Sequence, residues 1–554
     1  MATKTSYNKR LINLDSERSS FISLWRNLSE YHLGSHGRFL TSDRNKGNDN
    51  KARRQYNNKS RIAVRTMAAG MMSGITSPAR PWFQLGTGNP ELNDQAAVKL
   101  WLADVQSKMY RVFSSSNIYN TLHKIYMEAG TFGTASMGVY FDYDKVITTK
   151  AYTIGSYMIA QDDNNRVNTF YREYQKTVAE IVNEFGIENV SAMVKGQWDS
   201  GNTENWIDLV YLIEPNDDRD MQSPMAKDKK FRSVYYEKGE HNDNKFLRVS
   251  GFDDFPVMSP RWSITGEDIY GTDCPGMIAL DDTRALQLGE ERKYQVIDKI
   301  VSPPLQAPSS MQSQLKNGKL KPNQISFYSQ PNQKIESVYN VNPDLNAMMA
   351  INAEVEHRID SAFFVDLFTM MMNSDRRQIT AREVAEKQEE KLLLLGPVLE
   401  SLHTELLDPI ISRTFSIMQE AGILPPPPPE LDNIELNVEY VSILAQAQRM
   451  IGVSGIERTV GFAAELGNYN PLALKKVDVL TAIDEYAESM GVNPKIITTN
   501  DEVNAQVAAE QQAMAQQQAM AQSAAAVDTA KTASEINTQE GNAVGDLLAN
   551  SGLQ

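Results

Sequence analysis

The sequence predicts an α+β fold, mainly helical, for this 554-residue chain. Three observations carry that prediction. Met277–Val301 and Pro343–Met372 repeat apolar residues at three- and four-residue steps, the spacing of one helix face. Between Val139 and Val249 the pattern changes to short runs rich in β-branched and aromatic residues, as strands require. Helical spacing returns beyond the prolines Pro425–Pro429. Few apolar runs are continuous, so most helices bury one face only.

In chain order, Phe21, Leu24, Trp25 and Leu28 give a helix within residues 15–32. Gly34–Lys59 then loses periodicity, and residues 38–65 hold nine Arg or Lys against two Asp, the largest basic excess in the chain. Such a stretch suits an acidic partner, a neighbouring subunit, shell protein or DNA, or simply a solvated loop followed by a basic helix. Ser60–Ile75 is helical, with Ile62, Met67, Met71 and Met72 filling a core. Next, Ser77–Leu85 (SPARPWFQL) sets Trp82, Phe83 and Leu85 after two prolines, an extended segment pinned by aromatic burial. Helices follow at Leu92–Phe113 and Ile118–Ala129.

Gly130, Gly133 and Gly138 crowd a helix-to-strand turn without the spacing of a dinucleotide fingerprint. Strand-like runs are Val139–Ile159, Val167–Tyr174, Ile207–Glu214, Phe231–Glu237 and Phe246–Val249, with a short helix at Thr177–Phe185. The pairs Asp142/Asp144, Asp162/Asp163, Asp217/Asp218 and Asp253/Asp254 could hold a metal or do acid–base chemistry. Each lies among Gly, Asn or Pro, where Asp is favoured for bonding the backbone of a turn.

Pro275 precedes the first long helix, Met277–Val301, which ends at Pro303-Pro304. An insert, Pro303–Tyr339, separates it from the second. That helix is capped by Asn342 with Pro343 at its first position, and would run roughly 45 Å at about 1.5 Å per residue. Asn373–Gln378 has no apolar residue and breaks the pattern. Thr380 and Glu383 form a capping box for the next helix, which continues to about Met418 with bends expected at Pro397 and Pro409. Gly422 ends it, and the proline run is a stiff spacer. Helical patterns at Ile443–Ile451, Ile456–Leu466 and Val477–Met490 precede an Ala/Gln-rich end.

Composition narrows the function. Net charge is −15, which argues against a protein that grips nucleic acid by its phosphates. Cys274 is the single cysteine, so no intrachain disulfide forms and a reducing compartment fits. His32 and His36 lack a third ligand, so no metal site is expected, and no apolar run reaches membrane-spanning length. Asn317-Gly318-Lys319-Leu320 lacks the first glycine and the hydroxyl of a phosphate-binding loop. No catalytic or cofactor-binding residue and no cofactor is assigned.

Three strings in order carry a resemblance: SPARPWFQL, then AGTFGTASMGVYFD at Ala129–Asp142, then ITAREVAEKQEEKLLLLGPVLESLHTELLDPIISRTFSIMQEAGILPPPPP at Ile379–Pro429. Together they resemble the portal, or head-to-tail connector, proteins of short-tailed bacteriophages over most of residues 15–500. The resemblance implies a portal fold: an α/β wing (1–275, resumed by the long helix and proline spacer of 380–429), stem helices at 276–302 and 342–372, and a small clip at 303–341. A tunnel loop at 373–379, a helical crown at 430–505 and a C-terminal tail at 506–554 complete it.

The resemblance further implies a ring of about twelve copies at one capsid vertex, through which double-stranded DNA is packaged, retained and ejected. Such a ring would carry a charge of about −180, which repels rather than traps a duplex with one negative charge per about 1.7 Å. Implied partners are terminase, which would supply ATP hydrolysis, tail adaptor or tail tube proteins, and the major capsid and scaffolding proteins, with no membrane. Asn373, Ser374, Asp375, Arg376 and Arg377 would form the tunnel loop. Arg376 and Arg377 either touch DNA phosphates there or pair with Glu383 or Glu386. Lys316, Lys319 and Lys321 of the clip would face terminase or tail proteins. The competing expectations are an internal scaffolding or ejection protein, favoured by the Ala/Gln tail, and a metal-dependent hydrolase using the Asp pairs.

Overall fold

The structure is a computed structural model that describes residues 3–43, 55–87, 89–93, 95–240, 242–302, 305–306, 336–337, 344–372, 394–431, 436–441, 459–466, 476–489 and short pieces between 498 and 516. Two units divide the chain, Met1–Ile451 and Gly452–Gln554.

Within the first unit, a five-stranded antiparallel sheet carries the α+β character. The run expected as strand from Val139 to Ile159 is three strands: β2 (Ser136–Asp142), β3 (Val146–Tyr152) and β4 (Tyr157–Gln161), which follow β1 (Phe83–Thr87). Turns at 143–145 and 153–156 divide the run, each tied by local hydrogen bonds to Asp142 Oδ1 or Thr153 O. Next come β5 (Val167–Thr177), β6 (Trp206–Pro215), β7 (Phe231–Glu237) and β8 (Arg248–Phe252). The larger sheet has the order β4-β5-β6-β7-β8, and β3-β2 pairs with β9 (Val257–Met258) in a second sheet.

Strand alternation buries both faces of the larger sheet. Val210 and Leu212 of β6 face Tyr7, Leu11 and Leu14 of the first helix, α1 (Lys4–Tyr31). Ile207 and Leu209 face Val178, Ile181 and Phe185. Helix α1 thus begins well before the expected residue 15, because its first half is covered by the sheet. The helix behind the sheet, Val178–Phe185, starts in a capping box: Thr177 accepts from Glu180 N–H, and Glu180 accepts from Thr177 N–H.

The remaining helices of this unit pack as a layer. These are α2 (Lys59–Gly74), α3 (Ala96–Ser115) and α4 (Ile118–Phe132), with α5 (Val178–Phe185) and a short α6 (Ala192–Asp199) on the sheet. Trp82 and Phe83 are fully buried against Tyr110 and Phe113 of α3. The Tyr110 hydroxyl accepts from the Trp82 and Phe83 amides at 2.8 and 2.9 Å, so the SPARPWFQL segment is pinned as its sequence predicts. Beyond the prolines, Leu436–Tyr440 returns to pair with β1, a strand that the helical spacing did not foretell. The proline spacer is held as well: Trp101 Nε1–H donates to Pro425 O at 3.1 Å.

Of the two prolines expected to bend this helix, Pro397 sits within continuous helix, and Pro409 follows a π-turn. Residues 394–402 are helical, a π-turn occupies His403–Leu407, and the helix resumes at Asp408–Glu420. The missing Pro409 N–H is absorbed where Asp408 N–H bonds His403 O, five residues back. Gly422, at φ +67°, closes the helix: its N–H and that of Ile423 bond Gln419 O and Met418 O, the six-to-one pattern of a glycine cap.

In the second unit, residues 459–466 and Val479–Ser489 are helical, within two of the three helices expected beyond the prolines. The third, Ile443–Ile451, lies outside the described residues.

Candidate functional site

The two long helices are the elements on which a channel would be built. Helix α7 (Leu280–Val301) follows a single turn at Pro275–Ile278, and α8 (Leu345–Ala362) runs beside it in the opposite sense. The cross-links fix that sense. Arg358 Nε and Nη2 donate to Asp282 Oδ1 at 3.0 and 2.8 Å, while Asn352 Nδ2 donates to Glu290 Oε1 at 2.7 Å. Beyond the helices, Leu305–Gln306 pairs antiparallel with Glu336–Ser337. The chain therefore leaves the first helix and returns toward the second at one point.

The second long helix differs from its expectation in two ways. Its cap is Asp344, whose carboxylate accepts from the Asn346 and Ala347 amides; Asn342 lies outside the described residues. It also does not run unbroken to Met372. Phe364 has φ +54°, a left-handed conformation that no helix interior accepts from a bulky residue, and a separate helix, α9 (Val365–Met372), follows. The apolar spacing is kept across the break, which is why the sequence read as one helix. Phe363, Leu367 and Phe368 are all buried, and a Cβ on Gly70 of α2 would stand 2.3 Å from Phe368 Cβ.

Burial along the pair is uneven. Leu280, Thr283, Leu286 and Glu290 of α7 and Val355 and Ile359 of α8 are buried near the body of the unit. Farther out, Tyr294, Ile297, Val301, Met349 and Ile351 are exposed. Tyr294, Ile297 and Val301 follow the three- and four-residue steps of one helix face. Tyr294 meets the Tyr56 ring at 6.1 Å between centroids, and Ile297 and Val301 carry the apolar stripe outward from there, exposed.

The end of the basic stretch has a definite place. Gln287 Oε1 accepts from the Tyr56 and Asn57 amides, Asn57 Nδ2 donates to Glu356 Oε1 at 2.8 Å, and Lys59 pairs with Asp360 at 2.5 Å. Residues 55–59 thus clasp the base of both long helices. Periodicity could not reveal this, because the partners lie more than two hundred residues away. Residues 44–54 fall outside the described residues.

The expected loop residues Asn373, Ser374, Asp375, Arg376 and Arg377 begin directly after α9, and Lys316, Lys319 and Lys321 belong to the insert. All eight lie outside the described residues, as does the Thr380–Glu383 capping box.

The acidic pairs weighed as metal ligands are turn elements. Asp142 Oδ1 accepts from the Asp144 and Lys145 amides at 2.9 Å, Asp162 Oδ1 accepts from those of Asn164 and Arg166, and Asp253 pairs with Lys229. Among the described residues no group of three or more His, Cys, Asp or Glu could hold a metal ion. His32 is buried between Ser60 Oγ and Gly276 O, and burial lowers its pKa to about 4. Cys274 is buried as well, which pushes its thiol up to about 12 and leaves it unreactive. No described helix is long and apolar enough to cross a membrane.

With this geometry in view, comparison with known proteins is decisive. A family model described as "Bacteriophage head to tail connecting protein" matches residues 4–497. The chain belongs to that family. It is 43% identical over 538 residues to the portal protein of Salmonella phage epsilon15, covering 97% of this chain and 96% of that protein. It is likewise 43% identical over 539 residues to the probable portal protein of Bordetella phage BPP-1, covering 96% of each. A solved structure, the neck of an empty GTA particle computed with C6 symmetry, aligns at 10% identity with a TM-score of 0.36 over 78% of this chain and 93% of that one.

Proposed function

We propose that this chain, a portal protein of a phage head-tail connector, closes into a ring of about twelve copies whose central channel passes double-stranded DNA. The observation that carries the ring is the exposed apolar stripe of Ile297 and Val301 on α7, with Met349 and Ile351 on α8. An antiparallel helix pair that leaves such a stripe in water along its outer half is stabilised by packing against the next copy of itself. The pair is then a strut of the channel wall, and the insert is the knob at its far end.

In this reading the loop at Asn373–Arg377 enters the channel just beyond α9, and Arg376 and Arg377 make a ring of positive charge that touches phosphates weakly within an acidic wall. The clip lysines Lys316, Lys319 and Lys321 face terminase during filling and tail adaptor or tail tube proteins afterwards. Major capsid and scaffolding proteins surround the wing. No bond is made or broken by the chain; its work is positioning, and ATP hydrolysis belongs to terminase.

Electron microscopy and native mass measurement of the purified protein test this directly. A closed ring of about twelve subunits, with a channel wide enough for a duplex, is the expected result. A monomer at all salt concentrations would overturn it.

A further inference from the structure

The turn between β2 and β3 projects an aromatic, acidic tip into solvent. Tyr143 is 96% exposed and Phe141 is 47% exposed, with their rings edge to face at 4.9 Å between centroids. The tip is rigid, because Asp142 Oδ1 accepts two backbone N–H groups, and Asp144 is left exposed. Its closing residue, Val146, has φ +69°, a strained choice for a β-branched side chain. Strain of this kind persists where a presented shape is used. A lone exposed Leu would be ordinary; a fixed hairpin that holds two aromatic rings in water is not.

The same unit carries a cleft of about 600 Å³ whose chemistry is complementary. Lys150, Arg172 and Lys176 stand in it beside Phe39, Tyr174 and Trp206. The carboxylates lining the cleft are engaged elsewhere. Asp15 pairs with Arg18, Glu173 with Lys238, Asp43 accepts the Phe39 and Leu40 amides, and Glu180 accepts the Thr177 amide. Lys176 is paired with Glu184. Lys150 and Arg172 have no ion-pair partner among the described residues, and Arg172 Nε is a buried donor with no acceptor. Arg172 is held in place by the Tyr152 and Tyr174 rings, at 5.2 and 4.7 Å. Burial, then the charges of Arg172 and Lys176, depress the Lys150 ammonium to about 8. The carboxylate whose charge acts on Lys150, Glu184, already pairs with Lys176, so the cluster keeps an excess of positive charge that suits an anion.

We propose that the β2–β3 tip of one subunit seats in this cleft of the neighbouring copy, with Tyr143 entering beside Tyr174 and Trp206 and Asp144 meeting Lys150 and Arg172. The contact is head to tail, tip to cleft, which is the kind that propagates around a closed ring. It rests on the ring reading above and adds a wing contact to the stem stripe. One chain cannot make the contact within itself, because Lys150 is four residues along β3 from Val146, about 13 Å from the turn.

Disulfide trapping tests it in the full-length protein. Cys274, the single natural cysteine, is buried and silent. The double variant Tyr143→Cys, Lys150→Cys, oxidised after assembly, should give a ladder of covalent multimers on a denaturing gel; neither single variant should. The charge-swapped pair supplies a second readout. Asp144→Lys or Lys150→Glu alone should raise the concentration needed for ring formation about tenfold or more, and the two together should restore it to within about threefold. Rings that form normally, with no ladder and no effect of either charge reversal, would overturn the tip contact, leave the ring reading standing and assign the cleft to another protein. A wild-type chain that forms no ring refutes the ring reading and this contact with it.

Discussion

Arg261, at the end of the strand layer, and Glu405, inside the π-turn of the long C-terminal helix, meet across 144 residues of chain. Both carboxylate oxygens are used: Glu405 Oε2 accepts the Arg261 backbone N–H at 2.8 Å, and Oε1 accepts from Nε at 3.0 Å and from Nη2. The Arg261 side chain is 2% exposed and donates further to Gln161 Oε1 and Asn165 O. This pair anchors the long helix to the strand layer, and the π-turn at His403–Leu407 sets the position of the carboxylate.

Replacing Glu405 by Gln therefore leaves a buried guanidinium without its counter-charge. The loss expected is about 3 kcal/mol, at the lower end for a buried pair because the Glu405 side chain keeps 23% exposure. Urea unfolding of the assembled and dissociated protein would measure it. A midpoint within error of wild type would show that the pair is not an anchor.

Acid should weaken the fold through His32. Its pKa falls from 6.5 to about 4, chiefly through burial, so the folded state favours the neutral ring. The folded value lies below the unfolded one, so this contribution is complete above about 6.5 and is lost as pH falls from there to about 4, amounting to about 3 kcal/mol. Thermal melting across that range should show the decline, and His32→Gln should flatten it. An equal decline in the variant would place the acid sensitivity elsewhere.

Gly70→Ala tests the close contact between α2 and α9. Its new Cβ would meet the backbone-anchored Cβ of Phe368 at 2.3 Å, so α9 must move or the core must strain. A loss of about 1–3 kcal/mol is expected. Phe368→Ala removes the Cγ and Cδ1 that the new methyl also meets, so Gly70→Ala should cost less in that background; an equal cost would mean the damage lies in α2 alone.

The stem stripe predicts a separation of assembly from folding. Ile297→Glu with Val301→Glu places charges on faces already exposed in the single chain, so subunit stability should change by less than about 0.5 kcal/mol. Ring formation should fail or need far higher concentration. Rings that assemble unaltered would remove the stripe from the subunit interface.

For the loop and clip, function is the readout. Arg376→Ala with Arg377→Ala should lower DNA retention in filled heads, with the defect growing at low salt, where phosphate contacts matter most. Reversing Lys316, Lys319 and Lys321 to Glu should impair terminase docking or tail joining while the ring persists. Unchanged packaging and docking would count against each role in turn.

Much of the helical framework was legible from spacing alone. Ala63, Met67 and Met71 of α2, and Leu122, Ile125 and Ala129 of α4, are buried at three- and four-residue steps. Strand content was legible too, but its division was not: Tyr143 and Ile154 sit in turns that an apolar composition hides. The break at Phe364 was invisible because the apolar spacing continues across it, and only the backbone angle stops the helix.

By itself, then, the sequence determined most of the helical and extended segments, the helix end at Gly422, and, through three ordered strings, the family. These are local properties, set by side-chain period, cap chemistry and the missing proline N–H. The tertiary structure alone decided the clasp of residues 55–59 on the two long helices, the return of Leu436–Tyr440 to β1 and the Arg261–Glu405 anchor. Each joins residues far apart in the chain. Nothing in the spacing of either partner records the other, because the energy of such contacts appears only once folding has removed both from water.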